Sequence, residues 1–488
     1  MDAYKAMDHA STVEEPFLPG SNHVSFESKD RVPAALFLAN VVSVTYMAVA
    51  WGAPNLSKFD FTPHKGPVHD IDPARSQGMS FFLVSLAMGI VGAVLSAVWL
   101  QALQLYASRI ISVTLQASAG ALAVASIAGF AEAGIAGRAI GFANLFLAAM
   151  VAMYYFNVRH RIPFAAANLT VAAKVLQRFP QVVLVAYAAI AAQVAWMLLW
   201  TVAVVGVWAT SDLLSSSSST LNMYLFLMLL SLCWGLHVLR NIVHCTTAGT
   251  IGEWWFSIDT HHAVRRSARR AVTSAFGSIC LGSLLVAALW ALRLLLLTTK
   301  RRKGGGANAC LECIAGALDT HLRAFNKFAY CQVALYGKDF RTAGADTLQL
   351  FREKGYTGIV QESLVSMVLC MGSLVVGATT GVVGVGYLYA TMACSDAEGA
   401  ALSPQECETF NVVIMAFVAC SSMGYAMCSV MCSTLDSIVA TIFVCFAEDP
   451  VALHIANSEE YVQLVDAWRQ FHPELLTHST FSTSVMYA

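Results

Sequence analysis

The stretch 232–256, LCWGLHVLRNIVHCTTAGTIGEWWF, carries Trp234, His237, Asn241 and His244 inside an otherwise apolar run. Their spacing of three, four and three residues puts all four side chains on one face of a helix. Polar groups in hydrocarbon need partners, and an indole N–H, two imidazoles and an amide on one face are costly against lipid. The stretch therefore predicts a membrane helix whose polar face looks into a helical bundle or a cavity.

The rest of the chain fits that setting. Of 488 residues, 57% are hydrophobic and 12% charged, against roughly a quarter charged in soluble domains. Apolar runs at 33–51, 79–103, 110–130, 135–156, 182–207, 221–245, 271–297, 359–389 and 410–446 recur along the sequence. Each is near or above the ~20 residues that cross the hydrocarbon as a helix, so the fold class is an all-α polytopic membrane protein rather than a barrel. A net charge of -1 leaves no electrostatic footprint for nucleic acid. Residues 1–30 are polar and acidic with no apolar core segment, which predicts no cleaved leader and insertion directed by the first span.

Charge in the loops sets the orientation. The loops at 157–180 and 246–270, the latter with Arg265, Arg266, Arg269 and Arg270, are basic and expected in the cytoplasm, while 211–220 is serine-rich without Lys or Arg and expected outside. The segment 309–337 is only moderately apolar, with His321, Arg323, Asn326 and Lys327. As an eighth span it has to be enclosed by protein or line water. The expected organisation is a cytoplasmic tail at 1–32, a transmembrane domain at 33–446 with an exoplasmic loop at 53–78 and a cytoplasmic segment at 338–358, and a cytoplasmic tail at 447–488. Gly137 with Gly141, and Gly377 with Gly381, form small-x-x-x-small faces suited to close helix packing.

Most of the 13 cysteines lie in apolar runs and read as small packing residues. Cys310-x-x-Cys313 stands alone, so neither a metal site nor a cofactor is expected. Cys394 and Cys407 fall in one loop expected on the oxidising side, where a disulfide and two free thiols are the alternatives.

Three motifs carry a family resemblance. The first is W-x-x-x-V-x-x-N-I-V-H-x-T-x-A-G from Trp234 to Gly249, followed by Trp254-Trp255-Phe256. The second is Phe325-Asn326-Lys327-Phe328-Ala329-Tyr330, continuing Val333-Ala334-Leu335-Tyr336-Gly337-Lys338-Asp339-Phe340. The third runs from Asp436-Ser437-Ile438 through Thr441-Ile442-Phe443 to Glu448-Asp449-Pro450. Together, in this order over about 220–450, they resemble the choline transporter-like family, solute carrier family 44. The resemblance implies ten transmembrane helices, both termini cytoplasmic, and carriage of choline or, in some members, ethanolamine. The loop after the first span is short, unlike the long cysteine-containing loop of animal members, and the third motif is nearer to fungal and protist forms.

Choline is a permanent cation with one hydroxyl, so a carrier needs aromatic faces for the methylated head and one polar partner for the oxygen. Trp196 and Trp200, one turn apart, with Trp234, Tyr330 and Tyr336, are the aromatic candidates; for each, a place in the interfacial belt is the alternative. Trp254 and Trp255, beside a basic loop, fit the belt best. Asn241 and Asn326 are the polar candidates, to hold the hydroxyl or to bond a neighbouring backbone. His237 and His244 suit proton coupling by their titration range, or are satisfied by an adjacent helix. Among intramembrane charges, Asp436 either balances the substrate or pairs with Arg240, Arg323 or Lys327, and Glu362 caps the start of its helix. The expected partners are a choline-like cation and membrane lipid, in the plasma membrane or an internal one. A non-transporting scaffold or receptor working through its tails is the rival; no H-E-x-x-H or G-x-S-x-G arrangement points to an enzyme.

Overall fold

A backbone in hydrocarbon has to satisfy its own N–H and C=O groups, and helices do so within one segment. In the computed structural model, which describes residues 29–56, 73–131, 134–159, 162–210, 218–257, 260–303, 325–353, 359–391 and 409–471, every described element is a helix. In chain order these are α1 Arg31–Met47, prolonged by a π turn at Ala48–Gly52 and a short helical piece at Ala53–Leu56, α2 Pro73–Ala131, α3 Ile135–Val158, α4 Ile162–Arg178, α5 Gln181–Thr210 and α6 Ser218–Phe256. There follow α7 Ala263–Val272, α8 Phe276–Lys303, α9 at 325–336, α10 Phe340–Glu353, α11 Ile359–Thr391, α12 Thr409–Glu448, α13 Pro450–Ala456 and α14 Ser458–Phe471.

Among the described residues, eight helices are long and apolar enough to cross a membrane. The runs expected at 79–103 and 110–130 both lie in α2, whose backbone leaves the helical region at Tyr106 (φ −131°, ψ 24°), between the two. The apolar part of α2, Ile90–Ala131, is 42 residues long, about twice the length that one crossing needs. Of the segment expected at 309–337, residues 325–336 are helical; 309–324, like Cys394 and Cys407, lie outside the described residues.

The described residues group into two compact units. The first takes those within 1–60, 184–354 and 440–461. In it, Val44 and Ala48 of α1 pack with Trp196 and Ala203 of α5. At the end of that seam Gly52 and Gly206 face each other so closely that a methyl on either would strike opposing backbone. Asp30, in a left-handed conformation (φ 50°, ψ 46°), ties two further helices to the start of α1. Its carboxylate accepts from the Ser278 hydroxyl of α8 at 2.7 Å and from the Phe340 N–H at 3.0 Å. Gly337 (φ 63°) ends α9, and the Asp339 carboxylate accepts from the Thr342 N–H at 3.1 Å to open α10.

Glu253 of α6 carries the α7 arginines of this unit. Its oxygens accept from Arg266 at 2.6 Å and Arg270 at 2.5 Å, so two of the four loop arginines are turned inward on one carboxylate while Arg265 and Arg269 are exposed. Trp254 and Trp255 are enclosed by protein rather than exposed on the surface as the belt reading expects. Both are fully buried, because α13 closes over them: Trp255 donates to the Asp449 carbonyl at 2.9 Å and Asn457 donates to the Trp254 carbonyl at 2.9 Å.

The second unit takes the described residues within 61–183, 355–439 and 462–488. The small-residue faces find partners here. Gly129 of α2 meets Gly137 and Gly141 of α3, and Gly377 and Gly381 of α11 meet Ser421, Phe417 and Tyr425 of α12. Dispersion between closely approaching backbones replaces the hydrophobic drive that lipid removes. Within the basic stretch 157–180 lies α4, which buries Phe164, Asn168, Leu169, Ala172, Val175 and Leu176, while Lys174 reaches Gln463 of α14 at 3.3 Å.

Candidate substrate site

The polar face of the opening stretch lies on α6, in the first unit, and each of its members has an identified neighbour. Gln193, Trp196 and Trp200 of α5 donate to the carbonyls of Leu236, Leu232 and Met228 at 3.3, 3.3 and 3.1 Å. As the donor moves up α5 the acceptor moves down α6 in near-equal steps, which is the register of an antiparallel pair. Gly235 is part of that fit, since an added Cβ there would overlap the Trp196 indole nitrogen. The indole N–H groups of Trp196 and Trp200 therefore fasten α5 to α6. Trp234 in turn fastens α6 to α8, donating to the Cys280 carbonyl at 3.0 Å, with its ring edge-on to Phe37 at 5.2 Å. Trp196 and Trp234 are buried and Trp200 is half-buried.

Two turns further along α6, Asn241 opens a polar cluster. Its amide donates to the Ser283 hydroxyl of α8 at 2.8 Å and to the Tyr330 hydroxyl of α9 at 3.2 Å. Tyr330 in turn donates to the Ile279 carbonyl at 3.4 Å, and its oxygen lies 3.4 Å from Ser283 Oγ. Asn326, one turn before Tyr330 on α9, donates its amide to the Gly282 carbonyl at 3.2 Å. Three helices that are far apart in sequence thus meet at Asn241, Ser283, Tyr330 and Asn326. Gly282 is needed there, because a Cβ would overlap the Tyr330 hydroxyl and the Phe340 ring.

His244 continues the same seam. Its Nε2 is 2.9 Å from the Lys327 carbonyl, and its ring stands 6.2 Å from that of Tyr330. His237 is half-buried, edge-on to Trp290 of α8 at 6.4 Å. Tyr336 has Lys338 Nζ 4.6 Å above its ring, so a cation of the chain itself occupies that aromatic face. Lys338 is also paired with Asp346 at 2.8 Å.

The remaining candidates lie elsewhere. Asp436 belongs to the second unit, where its carboxylate accepts from the Ser366 hydroxyl of α11 at 2.9 Å. Glu362 is within α11, and its side chain is outside the described residues. Sequence reasoning missed Ser283, and with it the carbonyls of Ile279, Cys280 and Gly282 that α8 turns toward the cluster. A serine in an apolar run is a weak signal, and a carbonyl leaves none.

Comparison with known proteins covers this same region. A family model described as plasma-membrane choline transporter matches residues 142–451, which contain every member of the cluster. Protein PNS1 of Kluyveromyces lactis is 28% identical over 362 residues, covering 69% of this chain and 63% of that protein. Protein PNS1 of Eremothecium gossypii is 28% identical over 344 residues, 65% of this chain and 60% of that protein. A CTL-like protein of Dictyostelium discoideum is 25% identical over 332 residues, 66% of this chain and 55% of that protein. The chain matches about three-fifths of the length of these fungal relatives.

Proposed function

The chain belongs to the choline transporter-like family of integral membrane proteins, and from that membership we propose that it carries choline or a closely related organic cation by alternating access. The observation that supports this reading most is the cluster of Asn241, Ser283, Tyr330 and Asn326, enclosed between three helices inside the matched segment. Polar side chains within membrane helices are costly against lipid and so face the bundle interior, where a substrate path runs. A quaternary ammonium cannot donate a hydrogen bond from nitrogen, so aromatic rings hold the head and polar groups hold the hydroxyl.

The tryptophans serve this reading in spite of their structural bonds. An indole N–H bond uses the ring edge, whereas cation–π attraction uses the ring face. Trp196, Trp200 and Trp234 can therefore hold helices in register and still present a face. Tyr336 differs, since the Lys338 ammonium already stands over one face of its ring. We place the protein in the plasma membrane with ten spans and both termini cytoplasmic, and we include ethanolamine among its substrates; proton coupling would fall to the half-buried His237.

The test is uptake of radiolabelled choline into liposomes holding the purified full-length chain. The reading predicts saturable uptake that unlabelled choline suppresses. Uptake equal to that of empty liposomes refutes it.

A further inference from the structure

The two asparagines of the cluster differ in what they leave unused. Asn241 is half-buried and spends its amide on Ser283 and Tyr330. Asn326 is 3% exposed, spends its amide on the Gly282 carbonyl, and its side-chain oxygen accepts a hydrogen bond from no described residue. The orientation of that amide is fixed by chemistry, because turning it over would set its oxygen against the Gly282 carbonyl. A buried acceptor without a donor is costly, and few are tolerated in native proteins. Gln332 Oε1 and Asn168 Oδ1 share the condition, but Gln332 makes none of the hydrogen bonds of the Asn241–Ser283–Tyr330 cluster, its amide going to Glu448 of α12, and Asn168 belongs to the second unit.

We infer that the side-chain oxygen of Asn326 accepts the hydroxyl hydrogen of the carried cation, so that the carrier selects amines bearing a donor over equally large amines without one. This rests on the carrier reading above and adds a chemical direction to it. An acceptor on the protein requires a donor on the substrate. Choline and ethanolamine qualify. A cation whose oxygen is methylated, or replaced by a methyl group, leaves the Asn326 oxygen buried and bare. Discrimination of this kind exceeds what shape alone gives, since sites built around a polar partner reject analogues that lack it far more strongly than apolar pockets reject a methylene.

The experiment is competition against radiolabelled choline uptake in liposomes holding the full-length chain. Three unlabelled cations are compared: choline, its O-methyl ether and propyltrimethylammonium. The expected result is that both analogues compete at least about tenfold more weakly than choline. In the Asn326→Leu variant, propyltrimethylammonium should approach choline to within about threefold, because the bare acceptor is gone. If that variant fails to fold, the comparison in the unmodified chain decides alone. Equal potency of the three cations in the unmodified chain overturns the inference and leaves the carrier reading standing, as does a folded Asn326→Leu variant that still prefers choline. No uptake of choline above empty liposomes fails the carrier reading itself, and the inference falls with it.

Discussion

Asn241 on α6 donates to the hydroxyl of Tyr330 on α9 at 3.2 Å, joining positions 89 residues apart. Because Ser283 of α8 accepts from the same amide, the pair locks three helices rather than two. Tyr330→Phe removes the hydroxyl while keeping the ring, and Asn241→Leu removes the donor. Each should lower the Tm of the detergent-purified protein, and the double variant should lose less than the sum. The expected coupling is about 0.5–1.5 kcal/mol, the range for interhelical hydrogen bonds in membranes. Additive losses would mean that the two side chains act independently.

Gly235 and Trp196 make a sharper steric prediction. Gly235→Leu should abolish folded protein, judged by a monodisperse peak in size-exclusion chromatography, because the added side chain occupies the space of the indole. Gly235→Ala should be rescued in part by Trp196→Ala, which vacates that space. If Gly235→Ala is harmless in the unmodified chain, the close contact between α5 and α6 is not as described.

The ion pairs of Glu253 rank its arginines. The Arg270 side chain is 10% exposed and that of Arg266 is 40% exposed. Either single variant leaves Glu253 one arginine, but the buried Arg270 is the partner that water cannot replace, whereas the half-exposed Arg266 is replaced largely by water. Arg270→Gln should therefore destabilise more than Arg266→Gln in thermal denaturation. The reverse order would contradict the inward placement of Arg270.

Asp339 gives the pH dependence. Burial pushes its carboxyl up, but hydrogen bonds from the Thr342 hydroxyl and N–H, with those of neighbouring amides, outweigh burial and hold it below the ordinary value of 3.8. A depressed carboxylate contributes stability that is present above that ordinary value and is lost as pH falls through the lower folded one. Asp339→Ala should cost about 1 kcal/mol near neutral pH, as for other helix N-caps. It should also lose less further stability than the unmodified chain as pH drops below about 4. Parallel acid titrations of the two proteins would sink this account.

The membrane helices and the polar face of 232–256 were legible because period and hydropathy are local properties. Asn241 and Asn326 stood out for the same reason, as polar residues in apolar runs. What the sequence could not show was which groups those side chains would meet. Trp196 and Trp200 look like members of a cage by composition, yet their N–H groups are engaged by carbonyls of α6, and no side-chain pattern announces a carbonyl. Trp254 and Trp255 suggested an interfacial belt by their loop, but the cover supplied by α13 comes from about 200 residues later. Ser283 became a junction only through the packing of α8 against both α6 and α9.

The measurement nearest to the central claim is counterflow. Liposomes holding the full-length chain are loaded with unlabelled choline, diluted into a trace of labelled choline, and followed in time. A carrier that alternates around an internal site exchanges one molecule for another, so labelled choline should rise inside above its equilibrium level and then fall. Label that only climbs to the external concentration would indicate a leak or channel, and label that never enters would indicate no carrier; either result contradicts the account.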